Sequence, residues 1–382
     1  MVKMFVTGDV HIGKKYDRYS SIKDQLIKSR FVCLERCVVE AEREHCDFFV
    51  ITGDLFDNVN RINQKDVREV VRILSQFGGR VLVLPGNHDY YNGEEKVWTD
   101  FQSALALADH NVTLITEFKP LVFDVGEETV RFYPAFCQSK HSGTNNLGWI
   151  KDLAIENADY HIGIAHGALD GLSPDMKNEY FLMREKELNQ IPVDVWLLGH
   201  THIPYPKGLS AEEDSYGYRI YNPGTPEQTD LSNDTPGICF VLTLDHSENG
   251  TSVAAHSYQS GAIRYYDLLL EVDGSTSLED AVCAKTRNLP KEAVVRLTVR
   301  GRVSSEDYLE KGSIYQKAFS RFLYYEIEDS ELSEIITMER IRSEFAEIGI
   351  AAKLLEALSD PKEIQMAYEL IKRHQTQGSE GQ

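Results

Sequence analysis

Lys3-Met4-Phe5-Val6-Thr7-Gly8-Asp9-Val10-His11 is an apolar strand that stops at a Gly-Asp step and runs straight into metal-ligand residue types. The pattern returns twice. Residues 47–52 lead into Gly53-Asp54-Leu55-Phe56-Asp57, and residues 80–84 lead into Pro85-Gly86-Asn87-His88-Asp89. Amphipathic helices lie between the strands. Ile27, Phe31, Leu34, Val38 and Ala41 recur at helical spacing, as do Val67, Val70, Leu74 and Phe77 before Gly78-Gly79. Such a βαβαβ start predicts a sheet covered by helices, with ligands beyond the carboxyl ends of its strands.

Working outward, further strands are expected at 121–124, 129–133, 160–165, 193–198, 219–221, 238–244 and 252–256, completing a large α/β sandwich over residues 1–262. The pattern then restarts as a small βαβαβ unit over 263–330, with helices opened by Ser277 and by Ser304-Ser305. Residues 331–374 read as helical, with Ile341, Phe345, Ile348, Ala352 and Leu355 forming a stripe. Residues 375–382 read as a disordered tail.

The later strands end as the first three do, in His166 and in Gly199-His200-Thr201-His202. Asp9 and His11 project from one side of an extended segment, and so do His200 and His202. A single Gly-Asp after a strand is ordinarily a turn. Five such clusters at strand ends exceed turn chemistry and exceed what one ion requires. Mixed His, Asp and Asn donors without thiolate suit manganese, iron or zinc, and two ions ~4 Å apart sharing a carboxylate fit the inventory.

Taken in order, Asp-x-His, Gly-Asp-x-x-Asp, Gly-Asn-His-Asp, His166 and Gly-His-Thr-His resemble the motifs of the calcineurin-like metallophosphoesterases. The resemblance implies a four-layer α/β/β/α sandwich. It implies one metal on Asp9, His11, Asp54 and His202, and a second on Asp54, Asn87, His166 and His200. It makes His88 the proton donor to the leaving alkoxide, oriented by the Asp57 carboxylate or, next, by Asp89. Those motifs, Tyr221-Asn222-Pro223-Gly224-Thr225-Pro226-Glu227 and the appended βαβαβ unit are also similar to the SbcD-type DNA double-strand-break repair nucleases. That resemblance implies two manganese ions, DNA as substrate, a capping domain on DNA, a homodimer, and a helical region that binds an SbcC-type SMC-like ATPase. Archaeal and eukaryotic relatives carry histidine where this chain has Asp57, which sets it with the bacterial branch.

DNA contacts are expected from Lys14 and Lys15, with Tyr16 and Arg18 beside them, and from Arg296, Arg300 and Arg302 on one face of a strand. The stripe of Ile341, Phe345, Ile348 and Leu355 fits packing on its own domain or docking to a partner, and the resemblance implies that it meets the ATPase. The rival readings are a small-molecule phosphatase or cyclic-nucleotide phosphodiesterase on the same core, and a scaffold that binds DNA ends.

Sixty acidic against forty basic residues give the 382-residue chain a net charge of −20, which opposes DNA binding by the chain alone. Six scattered cysteines without zinc-ribbon spacing read as reduced, buried thiols. No run approaches the ~18 apolar residues of a membrane span, so a cytoplasmic protein without membrane attachment is expected.

Overall fold

Alternation along the first strands builds the core. In β1 (Val2–Thr7) Val2, Met4 and Val6 face one side and Phe5 the other. Phe48 and Val50 against Phe49 and Ile51 do the same in β2 (Phe48–Ile51), as do Leu82 and Leu84 against Val81 and Val83 along β3 (Arg80–Val83) and its end. Helices α1 (Lys23–Arg43), α2 (Gln64–Leu74) and α3 (Lys96–Leu105) cover one face. The computed structural model describes residues 1–172, 177–212, 214–215, 217–247, 250–345 and 349–379.

The strands that follow are β4 (Val112–Leu114), β5 (Leu121–Val125), β6 (Glu128–Ala135), β7 (Tyr160–His166) and β8 (Val195–Gly199). Two short helices, α4 (Gly148–Lys151) and α5 (Glu185–Gln190), interrupt them. Then come β9 (Asp214–Ser215), β10 (Ile220–Tyr221), β11 (Ile238–Ser247) and β12 (Gly250–Gln259). They form a seven-stranded sheet ordered β4-β3-β2-β1-β11-β12-β9 and a five-stranded sheet ordered β10-β8-β7-β6-β5. Val130, Phe132, Ile162, Ile164, Val195 and Leu197 of the second sheet meet the inner face of the first. Tyr133, Trp196 and Leu198 turn outward to Leu147, Ile150 and Leu188 of the α4 and α5 region. The layers are therefore α/β/β/α. Burying each of these large side chains contributes about 1.5–3 kcal/mol. Helix α3 and strand β4 carry no clear signal in the sequence: one lies past a polar loop, and the other is three residues long.

The chain folds as two compact units, Met1–Tyr265 and Tyr266–Gln382. The second unit carries a three-stranded sheet ordered β13 (Arg264–Val272), β14 (Ala293–Val303), β15 (Tyr324–Glu334), with α6 (Leu278–Thr286) and α7 (Ser305–Phe319). Ser277 and Ser304 cap these helices by accepting from the Asp280 and Asp307 amides. Val295, Leu297, Val299 and Val303 enter a core with Leu278, Val282 and Phe319. The opposite face of β14 differs from the bare basic strip expected. Arg296 Nε donates to Asp267 at 2.8 Å, Arg300 pairs with Glu331 at 3.2 Å, and Arg302 lies 3.8 Å from Glu369.

The C-terminal stripe also needs correction. Ile341, Phe345, Ala352 and Leu355 are buried with Tyr368 in a core made by α8 (Met338–Glu344), α9 (Ile350–Ala357) and α10 (Pro361–Ser379), so they face their own helices and not a partner. Ile348 lies outside the described residues. The apolar side chains exposed on these helices are Ile350, Leu354, Met366 and Leu370. Residues 375–379, expected to be disordered, continue α10. Five cysteines are buried free thiols, and Cys283 is exposed. Among the described residues no helix is long and apolar enough to cross a membrane.

Candidate metal centre

Three of the five ligand segments turn by leaving ordinary backbone space. Asp9 (φ 52°), His11 (φ 50°), Asp54 (φ 52°) and His200 (φ 98°) all adopt left-handed conformations, which cost a non-glycine residue about 1–3 kcal/mol each. Gly53 at φ 112° sits where a Cβ would lie 2.0 Å from His166 Nδ1, and a Cβ on Gly86 would lie 2.2 Å from Asp54 Oδ1. Both glycines are therefore there for close approach.

Two groups of donor atoms result. In the first, His11 Nε2 lies 3.1 Å from His202 Nε2, 3.7 Å from Asp54 Oδ2 and 4.0 Å from Asp9 Oδ1, while His202 Nε2 is 3.6 Å from Asp9 Oδ1. In the second, His166 Nε2 lies 3.5 Å from Asp54 Oδ1 and 3.0 Å from Asn87 Oδ1, which is 2.8 Å from His200 Nδ1. The two oxygens of Asp54 point to different groups. All seven expected ligands, Asp9, His11, Asp54, Asn87, His166, His200 and His202, thus come together.

The chemistry of the set calls for cations. Asp9 Oδ1 is a buried carboxylate oxygen without a hydrogen-bond partner, which is costly unless a cation completes it. Burial, and then the neighbouring His202 and His88, hold the His11 imidazole well below its ordinary pKa. Burial and His166 push His200 down to about 3. Both rings are therefore neutral near pH 7 and offer lone pairs, the state a metal requires. Burial would raise Asp9, but His202, then His166 and His200, outweigh it and bring Asp9 below the usual carboxylate range. Burial keeps Asp54 above that range despite His166 and His88.

His88 is held differently from the expectation. Its Nδ1 donates to the backbone carbonyl of Asp57 at 3.2 Å, so Nε2 is the atom left to take up and give a proton. The Asp57 carboxylate instead stands 3.3 Å from His11 Nδ1. Asp89 does not orient His88 either. It accepts from the Phe56 amide at 2.9 Å and the Gly86 amide at 2.7 Å, tying two ligand loops together, and burial and Asp54 push its pKa far up. The His88 amide donates to Asp54 Oδ1 at 2.8 Å.

Besides Asp89, the residues that support the ligand loops lie outside the ligand motifs. Thr225 donates to the Asp9 carbonyl at 3.0 Å, and Asn222 Nδ2 donates to the Thr201 carbonyl at 3.0 Å. Both lie in the Tyr221-to-Glu227 segment, whose residues fasten two ligand loops. Arg30 is buried on α1 and donates to the Val10 carbonyl and the Tyr16 hydroxyl, each at 2.6 Å. Its signal is a lone arginine on an otherwise apolar helix face. Tyr16 is thereby buried and removed from the expected DNA contacts, while Lys15 is exposed and Lys14 half-buried.

Comparison with known proteins agrees with this geometry. The family model described as Calcineurin-like phosphoesterase matches residues 2–204. The chain belongs to the calcineurin-like phosphoesterase family. A calcineurin-like phosphoesterase is a metal-dependent hydrolase, and the donor set above is its metal site. The chain is 27% identical to the metallophosphoesterase YhaO of Bacillus subtilis over 204 residues, covering 51% of this chain and 47% of that one. It is 29% identical to the phosphoesterase 078R of Invertebrate iridescent virus 3 over 101 residues, covering 26% and 28%. It thus spans less than half of these curated relatives. Among solved structures, calcineurin-like phosphoesterase YfkN of Bacillus subtilis aligns with 67% of this chain and 89% of its own, at 13% identity and a TM-score of 0.38. A dimetal phosphatase from Danio rerio aligns with 67% and 99%, at 15% identity and a TM-score of 0.38.

Proposed function

We propose that this calcineurin-like phosphoesterase is a manganese-dependent DNA phosphodiesterase, an exonuclease with single-strand endonuclease activity. In this reading it works in the cytoplasm as a homodimer with an SbcC-type SMC-like ATPase. The observation that carries the reading is the second folded unit from Tyr266 onward, with its own sheet and core, for which hydrolysis of a small ester has no evident use. The fastening of Asn222 and Thr225 to the ligand loops supports it, because those residues carry the resemblance to the SbcD-type nucleases.

Cations held by the two ligand groups would neutralise the non-bridging phosphate oxygens and lower the pKa of water. The chain does the rest. His88 delivers a proton to the leaving oxygen through Nε2, and the Asp57 carbonyl fixes its ring. The hydrogen bond from the His88 backbone N–H to Asp54 Oδ1 ties the acid to the shared ligand.

Purified chain with manganese is incubated with end-labelled DNA and, separately, with a chromogenic phosphomonoester. Shortened DNA is expected, with a rate that falls about 10²–10⁴-fold in His88→Ala. Turnover of the monoester with intact DNA overturns the nuclease reading in favour of a small-ester phosphatase. Hydrolysis of neither, with DNA ends bound, favours the scaffold.

A further inference from the structure

Beside the second ligand group lies a cavity of about 760 Å³, lined by His200, His202 and the segment that follows the last sheet crossing. His200 and His202 belong both to the ligand cluster and to the cavity wall, so a phosphate at the cluster and a group in the cavity can belong to one molecule. The volume falls in the range of sites for whole organic ligands, roughly 300–1,000 Å³. A bare phosphate would leave it empty.

The walls are set before any ligand arrives. Asn233 Nδ2 donates to the His202 carbonyl at 2.7 Å, and Asn233 Oδ1 accepts from the Thr235 amide at 2.9 Å. Gln228 Nε2 bonds the carbonyls of Asn233 and Tyr265. These bonds fix the cavity wall to the metal-ligand loop. The remaining lining adds Tyr180 and C–H surface from Pro204 and Pro236, with Ser232, Thr235, Lys207 and Asp234 as polar residues. An aromatic residue and C–H surface beside several polar groups, next to the ligand cluster, suit a flat ring with hydrogen-bonding edges joined to a phosphate.

We propose that this cavity seats the nucleoside next to the scissile phosphate, making the site selective for nucleotidyl esters over esters of simple alcohols. The assignment rests on the phosphodiesterase reading and adds the group recognised beyond the phosphate.

The test compares two diesters with the same leaving group, thymidine 5′-(4-nitrophenyl phosphate) and methyl 4-nitrophenyl phosphate, with manganese added. The full-length chain is expected to favour the thymidine ester in kcat/KM by about tenfold or more, equivalent to about 1.4 kcal/mol. Thr235→Trp and, separately, Ser232→Trp fill the cavity from two positions and are expected to bring the ratio toward one, mainly through KM for the thymidine ester. Equal turnover of both esters by the unmodified chain overturns the assignment alone, as does a ratio that survives both substitutions in folded protein. Turnover of neither ester overturns the phosphodiesterase reading and the nucleoside site with it.

Discussion

Burial beside His166 holds the His200 imidazole neutral in the folded chain, with its pKa pushed down to about 3. In the unfolded chain the same ring titrates near pH 6.5. As pH falls from about 7.5 to about 5.5 the unfolded state takes up the proton first, so His200 subtracts stability from the metal-free fold over that window. His200→Gln is expected to reduce the loss by about 1 kcal/mol, read from urea unfolding of EDTA-treated protein at the two pH values. Parallel losses in the two proteins would contradict the buried, neutral ring. The acid works by a different device. The partner of His88 is a main-chain carbonyl, which any residue at position 57 supplies, so the side chain of Asp57 announces a role that its backbone fills. The carboxylate is free to stand against His11.

The elements most legible in the sequence are those whose strands alternate cleanly. Strands β1, β2 and β3 present even-numbered residues to one core and odd-numbered residues to the other, and their ligand loops follow directly. Strand β14 is legible in its alternation and misleading in its charge. Its three arginines share the strand with no acid, but Asp267 on β13, Glu331 on β15 and Glu369 on α10 are brought to them by the fold. Pairing across a sheet leaves no trace in local composition. The stripe at Ile341, Phe345 and Leu355 likewise marks an apolar face correctly, while spacing alone does not say that α10 covers it. If β14 meets DNA, its carboxylates mask it. Asp267→Asn with Glu331→Gln is expected to tighten DNA binding at low salt and to steepen the dependence of log K on log salt by up to about two. Fluorescence anisotropy across a salt series measures both. An unchanged slope removes this strand from the DNA path.

At the scale of the whole molecule, the two units have separate hydrophobic cores, and the seven ligands all lie in the first. Calorimetry of EDTA-treated protein is expected to give two transitions, of which manganese raises only one. At about a hundred times its Kd the metal adds about 2.7 kcal/mol to that unit. A single transition that shifts as a whole would mean that the units unfold together. The formal charge of −20 omits any bound cations, so the same titration also makes the first unit less repulsive toward a polyanion. Within that unit the ligands come from two sheets. Asp9, His11, Asp54 and Asn87 follow strands of the seven-stranded sheet, whereas His166, His200 and His202 end or follow strands of the five-stranded one. Neither sheet carries a complete set, so a nascent chain that has emerged only as far as β6 holds the carboxylates without most of the imidazoles. A translation product interrupted before the second sheet is complete therefore lacks the full ligand set, whereas one interrupted after the first unit has it.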